Sequence, residues 1–300
     1  MSSHPEATST QSYDPSDTGY TDTLLKVVLR RFLRHRLAII GSVIIGTLIL
    51  IAVFAPVVAP YGYRQHHYDS VLHPPSPQFP LGTDNVGADL LSRIIYASRI
   101  SLSVGFLSMF IAMSLGMAVG ATAGYFGGWL DNVLMRMVDV ALCIPPLFLL
   151  LMVVAIISPS TTIVIVAIGV TGWMVPSRII RGSVLTLKEQ DFVEAARATG
   201  ASTFMIITRH ILPNAMGPLI VNATLMVGQA IISESVLSFL GVGIQPPTPS
   251  LGNMLSAAQT YIWNAPWMAV FPGLVILITV LAFNLVGDGL RDALDPKLRD

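Results

Sequence analysis

The sequence predicts an all-α protein that crosses a membrane about six times. Hydrophobic residues make up 53% of the 300 residues and charged residues only 11%, whereas soluble domains average roughly 45–50% and 25%. The apolar residues are gathered into runs of about 20, which is the length that a helix needs to cross the hydrocarbon of a bilayer. A soluble protein of this length could not cover its surface with so few charges.

Six apolar runs are candidate transmembrane helices. We place them at residues 37–59, 101–123, 138–157, 161–180, 217–240 and 267–285. Proline restricts the backbone and removes an N–H donor, so Pro145 and Pro146 are expected to bend the third helix. Gly172, Trp173 and Pro176 interrupt the fourth, which is therefore the least regular of the six.

Small residues inside two of these runs predict how they pack. In the second run Gly116, Gly120 and Gly124 recur every four residues, a spacing that permits close contact with another helix. Cys143 is the single cysteine and lies in the third run, so no intrachain disulfide is possible. We expect it to behave as a small buried hydrophobe.

The spans divide the chain into five parts. Residues 1–36 are a predicted cytoplasmic tail, partly disordered because its first 20 residues are rich in Ser, Thr, Asp and Pro. Residues 37–59 form the first transmembrane helix, which is too long for a signal peptide and is expected to be retained. An external loop with a short helix follows at 60–100. Residues 101–290 form a core of five transmembrane helices, and 291–300 a cytoplasmic tail.

The positive charges predict the orientation, because cytoplasmic loops carry an excess of Lys and Arg. With the N-terminus inside and six crossings, only Arg64, Arg93 and Arg99 of the 17 Lys and Arg residues lie outside. Both termini are then cytoplasmic. The polar segment at 187–214, between the fourth and fifth runs, is also cytoplasmic and open to a soluble partner.

This polar segment, which we call the coupling loop, has the pattern of two short helices. Asp191 with Glu194 three residues later is typical of a capping box, and Gly200 provides a C-terminal stop. Ser202 is expected to cap a second helix that Pro213 ends. The apolar stripe of that helix is Phe204, Ile207 and Ile211. Alanines at the surface would let another protein approach the backbone, so we interpret the segment as a docking element.

The coupling loop resembles the EAA loop of bacterial ABC importer permeases. The matching residues are Glu194, Ala195, Ala196, Gly200, Ile211, Leu212 and Pro213. His210 replaces the usual Ile, and the ending RHILPN is similar to the peptide and nickel branch. The segments 79–102, 234–255 and 292–297 resemble the same branch. The chain is thus identified as resembling the second permease subunit of a dipeptide or oligopeptide importer.

The resemblance implies a type I ABC importer permease fold in the bacterial inner membrane. It implies a homologous second permease, two ATPase subunits or one fused ATPase, and an extracytoplasmic substrate-binding protein as partners, with a peptide as substrate and lipid around the spans. ATP and Mg²⁺ would be bound by the ATPase subunits. It assigns ATPase coupling to Glu194, Ala195, Ala196, Gly200, Leu212 and Pro213. Nickel or another small solute is the alternative substrate.

The residues themselves offer no catalytic, cofactor or metal site. Lys26, Lys188 and Lys297 are the only lysines, and none lies in the Gly-Lys-Ser/Thr context that holds nucleotide phosphates. A net charge of zero argues against a nucleic-acid partner. The adjacent His66 and His67 lack a third ligand at suitable spacing and are expected to be exposed loop residues. The chain is therefore predicted to be a non-catalytic subunit.

One polar face in the fifth run is a candidate translocation pathway. Asn222, Met226, Gln229 and Ser233 follow helical spacing, with Glu234 beside them. A carboxylate at membrane depth is costly unless it meets water or a partner. Glu234 therefore either sits near the external mouth of the pathway or braces the neighbouring loop through Ser233, Ser235 or backbone amides. Both interpretations stay open.

A second candidate site precedes the second run, on the predicted external side. It comprises Leu81, Gly82, Thr83, Asp84, Gly87, Asp89 and Arg93. The segment resembles the pattern of the same family, with Ala88 in place of the usual Arg. Its expected role is a gate near the binding protein or a lid over the helix ends. Trp263 and Trp267 are expected to be anchors at the membrane interface.

The rival from another class is a self-sufficient channel or secondary carrier. Such a protein needs ion or proton sites within its spans, and Glu234 is the main carboxylate away from the span ends, since Asp139 and Asp288 lie near the cytoplasmic boundary. A membrane-embedded enzyme would need a catalytic constellation, for which the sequence offers no residues.

Overall fold

The structure, a computed structural model, describes residues 24–156 and 160–294. Its α-helices are α1 Leu24–Phe32, α2 Arg36–Val53, α3 Ala55–Val58, α4 Leu90–Phe126, α5 Gly128–Leu142, α6 Pro146–Ile156, α7 Thr161–Thr171, α8 Met174–Leu187, α9 Asp191–Ala198, α10 Thr203–Met205, α11 Leu212–Asn214, α12 Met216–Phe239, α13 Leu251–Ala258 and α14 Trp267–Leu294. The tail predicted to be disordered and the end of the C-terminal tail lie outside these residues.

Four of the described helices, α2, α4, α12 and α14, are long and apolar enough to cross a membrane. Two bent pairs raise the number to six if each pair is one span. The pair α7 and α8 bends by 41° at Gly172 and Trp173, where the interruption was expected. The pair α5 and α6 bends by 89°. The structure therefore confirms an all-α, multi-pass fold.

The third span differs from the prediction. Instead of one helix over 138–157, α5 ends at Leu142 and α6 begins at Pro146, nearly perpendicular to it. The residue before a proline is biased away from helical geometry, and two consecutive prolines at 145 and 146 apply this bias twice. Cys143 lies at the corner and is exposed, so the expectation that it is buried is wrong for the isolated chain.

Helix α4 is the central element, and it begins earlier than predicted. It has 37 residues and starts at Leu90, so the last part of the expected external loop 60–100 is helical. Asp89 sets this start, because its carboxylate accepts a hydrogen bond from the backbone N–H of Ser92 at 2.8 Å. An N-cap of this kind satisfies donors that the first turn leaves open. The hydropathy of the segment did not reveal it.

The glycine stripe of α4 packs against α8, as the four-residue spacing predicts. A Cβ atom at Gly116 would lie 2.6 Å from the Cβ atom of Pro176, and one at Gly120 would lie 2.3 Å from the carbonyl oxygen of Ser177. At Gly124 it would lie 2.9 Å from Val184. Only glycine leaves room for the two backbones at these distances, so α8 is held against the core along its length.

Candidate functional site

The first half of the coupling loop is the helix α9, which begins where expected but is capped differently. Asp191 is its first residue, and Gln190 occupies the N-cap position without a side-chain hydrogen bond to the helix. The predicted capping box between Asp191 and Glu194 is therefore wrong. Both carboxylates still lie in the first turn, where negative charge is favourable to the helix dipole. Glu194 and Ala195 are exposed, which leaves them available to a partner.

Gly200 ends α9 in a Schellman motif. Its φ angle is +81°, in the left-handed region that glycine adopts without steric cost. The N–H of Gly200 donates to the carbonyl of Arg197 at 3.0 Å, and the N–H of Ala201 donates to that of Ala196 at 3.1 Å. These two bonds satisfy carbonyls that the helix end would leave open. The predicted stop at Gly200 is confirmed.

The second half of the loop does not end at proline. Ser202 caps α10 by accepting a hydrogen bond from the N–H of Met205 at 3.3 Å, as predicted. The chain then widens into a π-helix at Ile206–Ile211 and continues as α11. Proline clashes with the carbonyl four residues earlier in a regular helix, and the wider π turn gives that carbonyl room. Pro213 consequently lies inside a helical run, and the prediction that it terminates the helix is wrong.

Buried residues hold the coupling loop against the spans. Val193, Ala196, Ile206 and Ile211 pack in one apolar cluster with Ile180, Val184 and Leu219 of α8 and α12. The Arg197 guanidinium also lies 5.6 Å from the ring centre of Tyr125 at the end of α4, a favourable cation–π distance. Phe204, expected in the buried stripe, is instead 78% exposed. The outer surface thus combines Glu194, Ala195, Gly200, Pro213 and Phe204, and Leu212 is half-buried beneath it.

The predicted pathway residues of α12 line a cavity with a volume of about 750 Å³. Asn222, Met226, Gln229 and Ser233 all face it. The other polar side chains among its described lining residues are Ser108, Thr171 and Asn284, so the polar groups around the cavity are uncharged. The structure brings the four predicted residues to one surface, and the walls come from α4, α5, α6, α7, α8 and α14 as well.

Glu234 lies apart from this cavity. Its side chain is fully buried, and its carboxyl oxygens accept hydrogen bonds from the hydroxyl of Ser101 at 3.0 Å and of Ser238 at 2.8 Å. The Ser238 hydroxyl in turn accepts from the N–H of Ile244 at 2.9 Å. Glu234 therefore joins α4, α12 and the loop after α12. This arrangement favours the bracing interpretation, with Ser101 and Ser238 as partners in place of Ser233 and Ser235.

We expect Glu234→Gln to lower the stability of the protein by about 1–3 kcal/mol, since one buried hydroxyl loses its acceptor. Transport per folded molecule should stay at the wild-type level. Thermal unfolding of the purified protein and uptake normalised to protein amount measure the two effects separately. A normal unfolding temperature with reduced uptake would contradict the bracing interpretation and support a role for Glu234 in the translocation pathway.

The predicted external segment is a compact turn closed around Asp84. One carboxylate oxygen of Asp84 accepts hydrogen bonds from the N–H groups of Val86 at 2.9 Å and Ala88 at 2.8 Å. The other pairs with the guanidinium of Arg93 in α4. Asp84 and Ala88 are buried. Ala88, which stands where the family usually has Arg, is small enough for the interior of the turn. The positive charge that pairs with Asp84 comes from Arg93 instead.

Further contacts hold the same turn against the start of α4 and the start of α14. Thr83 forms an antiparallel bridge with Asp89, and its carbonyl accepts a hydrogen bond from the indole of Trp267 at 3.2 Å. Gly82 and Gly87 have φ angles of +80° and +75°, and a Cβ atom at either would meet another backbone oxygen below 3.0 Å. Leu81 packs with α4 and α14 in an apolar cluster. This geometry fits a lid over the helix ends.

The structure adds detail to the expectations for two tryptophans and two histidines. Trp267 donates a hydrogen bond to the turn around Asp84 in addition to its expected place at the interface, whereas Trp263 is 93% exposed, as an interface anchor would be. His67 is half-buried between the rings of Tyr61 and Phe79, at 4.9 and 5.1 Å. His66 is exposed. Among the residues that the structure describes, no group of three or more potential ligands is placed to hold a metal ion.

Two ion pairs between α5 and α8 were missed by the sequence analysis. Arg181 donates to Asp131 through Nε at 2.5 Å and Nη2 at 2.6 Å, and Arg178 donates to Asp139 through Nη2 at 2.5 Å. Partners separated by 50 and 39 residues give no local pattern. The one available signal was the presence of two arginines at the end of the fourth apolar run and of two aspartates at or shortly before the start of the third.

Family models match two parts of the chain. Residues 116–300 match the family described as binding-protein-dependent transport system inner membrane component. Residues 23–75 match the N-terminal transmembrane domain of oligopeptide transport permease C. The first match covers the core from the end of α4 onward, and the second covers the first transmembrane helix.

Named relatives are similar over most of their length. A dipeptide transport system permease protein of Alkalihalophilus pseudofirmus is 41% identical over 266 residues, which is 89% of this chain and 88% of the relative. A glutathione transport system permease protein of Escherichia coli is 44% identical over 271 residues, 90% of this chain and 89% of the relative.

Solved structures agree in fold. A chain of the inward-facing MetNI methionine ABC transporter superposes with a TM-score of 0.55 at 20% identity, covering 68% of this chain and 96% of that one. A chain of an amino acid ABC transporter gives 0.50 at 16% identity, covering 66% and 92%. At these identities the likeness concerns the fold alone.

Proposed function

Because the chain belongs to the family of inner membrane components of binding-protein-dependent transport systems, we propose that it is one of two permease subunits of an ATP-driven peptide importer. Its translocation surface would be the cavity-facing side of α12, completed by the second permease. Its link to the energy source would be the coupling loop. The named relatives transport a dipeptide and glutathione, both of which are short peptides.

The observation that carries the proposal is the two-sided construction of the coupling loop. Its inner side is buried against α8 and α12, so a push on the loop moves the helices that line the cavity. Its outer side presents Glu194, Ala195 and Gly200 in and after α9, and Phe204 of α10 is exposed too. A surface that offers an aromatic ring, small residues and a carboxylate suits insertion into a groove of a soluble partner. We assign that partner as an ATPase subunit, which binds ATP and Mg²⁺ and performs the hydrolysis.

The cavity supports a peptide as the transported solute. Asn222, Gln229, Ser233 and Asn284 offer amide and hydroxyl groups, which can donate to and accept from the amides of a peptide. Uncharged walls also suit substrates whose side chains differ in charge, because no fixed charge in the described lining repels either sign. No contact favours nickel over a peptide, so we retain the peptide assignment.

The proposed orientation follows from the basic residues. Lys26 lies in α1, Arg34 between α1 and α2, and Arg36 at the first position of α2. Such basic clusters next to a span stay on the cytoplasmic side. The coupling loop then faces the cytoplasm together with both termini. The turn around Asp84 faces the opposite side, where a substrate-binding protein delivers its load.

Purification of a tagged copy from its own host membrane tests the proposal against a self-sufficient carrier. We expect a second permease and an ATPase to accompany the chain, and the complex in vesicles to import labelled dipeptide only with ATP and the binding protein. Uptake by vesicles that contain this chain alone would contradict the proposal.

A further inference from the structure

Two ion pairs fasten α5 to α8 between the coupling loop and the cavity. Arg181 contacts both carboxylate oxygens of Asp131, through Nε at 2.5 Å and Nη2 at 2.6 Å. Arg178 contacts Asp139 through Nη2 at 2.5 Å. A bidentate pair fixes orientation as well as distance, because the planar guanidinium matches the carboxylate. The two pairs together prevent α5 from turning or sliding along α8.

The Asp131–Arg181 pair, which we call the inner pair, is less exposed than the Arg178–Asp139 pair, which we call the outer pair. The Asp131 side chain is 13% exposed and that of Arg181 is 34% exposed, compared with 43% for Asp139 and 51% for Arg178. An exposed ion pair contributes little, whereas removal of one partner from a shielded pair leaves an uncompensated charge. The Asp131–Arg181 pair is therefore the principal fastening, and the outer pair supports it.

Apolar packing does little to hold α5. Within α5, all of which lies in the described part of the chain, Asp131 and Val138 are the buried residues. By contrast, α8 is pressed against the glycine stripe of α4. Helix α5 also contacts α4, so the charged contacts to α8 add to an apolar packing that is limited.

Both fastened helices reach the cavity, and α8 also continues into the coupling loop. Helix α8 ends at Leu187, the first residue of the loop, and its first residues Met174, Val175 and Pro176 line the cavity. The last residues of α5, Ala141 and Leu142, line the cavity too, just before the 89° bend into α6. A movement of α8 that carries α5 with it would displace this corner.

We propose that Asp131, Asp139, Arg178 and Arg181 are positioning residues that make α5 and the corner at 143–145 follow α8 during transport. This inference rests on the proposed function of the coupling loop. The ion pairs transmit the displacement that the loop imparts to α8, so that the cavity changes shape at two walls at once. The peptide does not touch any of the four residues.

A charge swap in the complete reconstituted importer tests the inference. The variants are Asp131→Arg, Arg181→Asp and the double exchange, and the readouts are ATP hydrolysis stimulated by the binding protein and peptide imported per ATP. We expect each single variant to lower the peptide imported per ATP by about fivefold or more, in the range of typical coupling between sites. The double exchange should recover most of the wild-type ratio, because the pair is re-formed with opposite polarity.

Further variants keep the test decisive if a reversed charge prevents folding. Arg181→Lys keeps the charge but loses the bidentate geometry, and it should lower the ratio while the complex assembles normally. Arg136→Ala is the matched control, since Arg136 lies 3.8 Å from Asp139 on the same helix and does not bridge to α8. That control should retain the wild-type ratio.

Wild-type ratios in Arg181→Lys and in the single reversals would overturn the inference, as would a double exchange no better than the singles. The proposed function fails separately, through a wild-type complex that imports no peptide with ATP. The two failures are therefore distinguishable within one set of measurements.

Discussion

Gly200→Val is expected to reduce ATP-driven import by about tenfold or more while the protein stays in the membrane at normal levels. Gly200 has a φ angle of +81°, and an L residue in the left-handed region costs roughly 1–2 kcal/mol, more when it is β-branched. The Schellman motif is then lost and the surface of α9 changes direction. Since 1.4 kcal/mol corresponds to about tenfold in an equilibrium constant, this strain is enough to weaken docking strongly.

The effect should arise from the backbone alone. A Cβ atom at Gly200 would have no neighbour within 4 Å, so the substitution creates no clash within the chain. Gly200→Asn is the matched control, because asparagine tolerates left-handed geometry. Import, ATPase co-purification and membrane content measured together separate docking from folding. Full import by the valine variant would rule out a docking role for this turn.

Gly120→Ala is expected to destabilise the folded protein by about 1–3 kcal/mol, as overpacking of a closely fitted interface does. A Cβ atom at this position would lie 2.3 Å from the carbonyl oxygen of Ser177 and 3.0 Å from Ile180. Backbone cannot yield as a flexible side chain can, so α4 and α8 must separate. Thermal unfolding of the purified protein in detergent measures the loss.

Gly182→Ala provides a control in the opposing helix. No atom lies within 4 Å of a Cβ built at Gly182, and alanine favours a helix over glycine by about 1 kcal/mol. This variant should be as stable as the wild type or slightly more stable. Equal unfolding temperatures for the two variants would mean that the contact between α4 and α8 is looser than the structure shows.

The features that sequence alone predicted are those governed by local chemistry. Apolar runs located the spans, the positive-φ requirement located Gly200, and four-residue spacing located the packing stripe of Gly116, Gly120 and Gly124. Each depends on residues close together in the chain. The same is true of the pathway face of α12, where helical spacing brought Asn222 and Gln229 onto the cavity wall.

The features that were missed depend on partners distant in sequence or on cumulative backbone geometry. Trp267 of α14 donates to the carbonyl of Thr83 in the turn before α4, and Glu234 of α12 accepts from the hydroxyl of Ser101 in α4. The π-helix before Pro213 shows a second reason why a prediction from sequence fails: a widened turn allows proline inside a helical run. The N-cap of α9 was predicted one residue too late, because backbone geometry and not side-chain preference decides its position. Asp191 fits the N-cap preference, yet the backbone places Gln190 there.

The docking of the coupling loop on a cytoplasmic ATPase is tested most directly by labelling one exposed position of α9. Ala195→Cys in a Cys143→Ser background leaves a single thiol, to be reacted with a membrane-impermeant maleimide. We predict no labelling in intact cells, rapid labelling in inverted membrane vesicles that lack the ATPase, and protection when the ATPase is present. Labelling from outside intact cells, or equal labelling with and without the ATPase, would contradict the account.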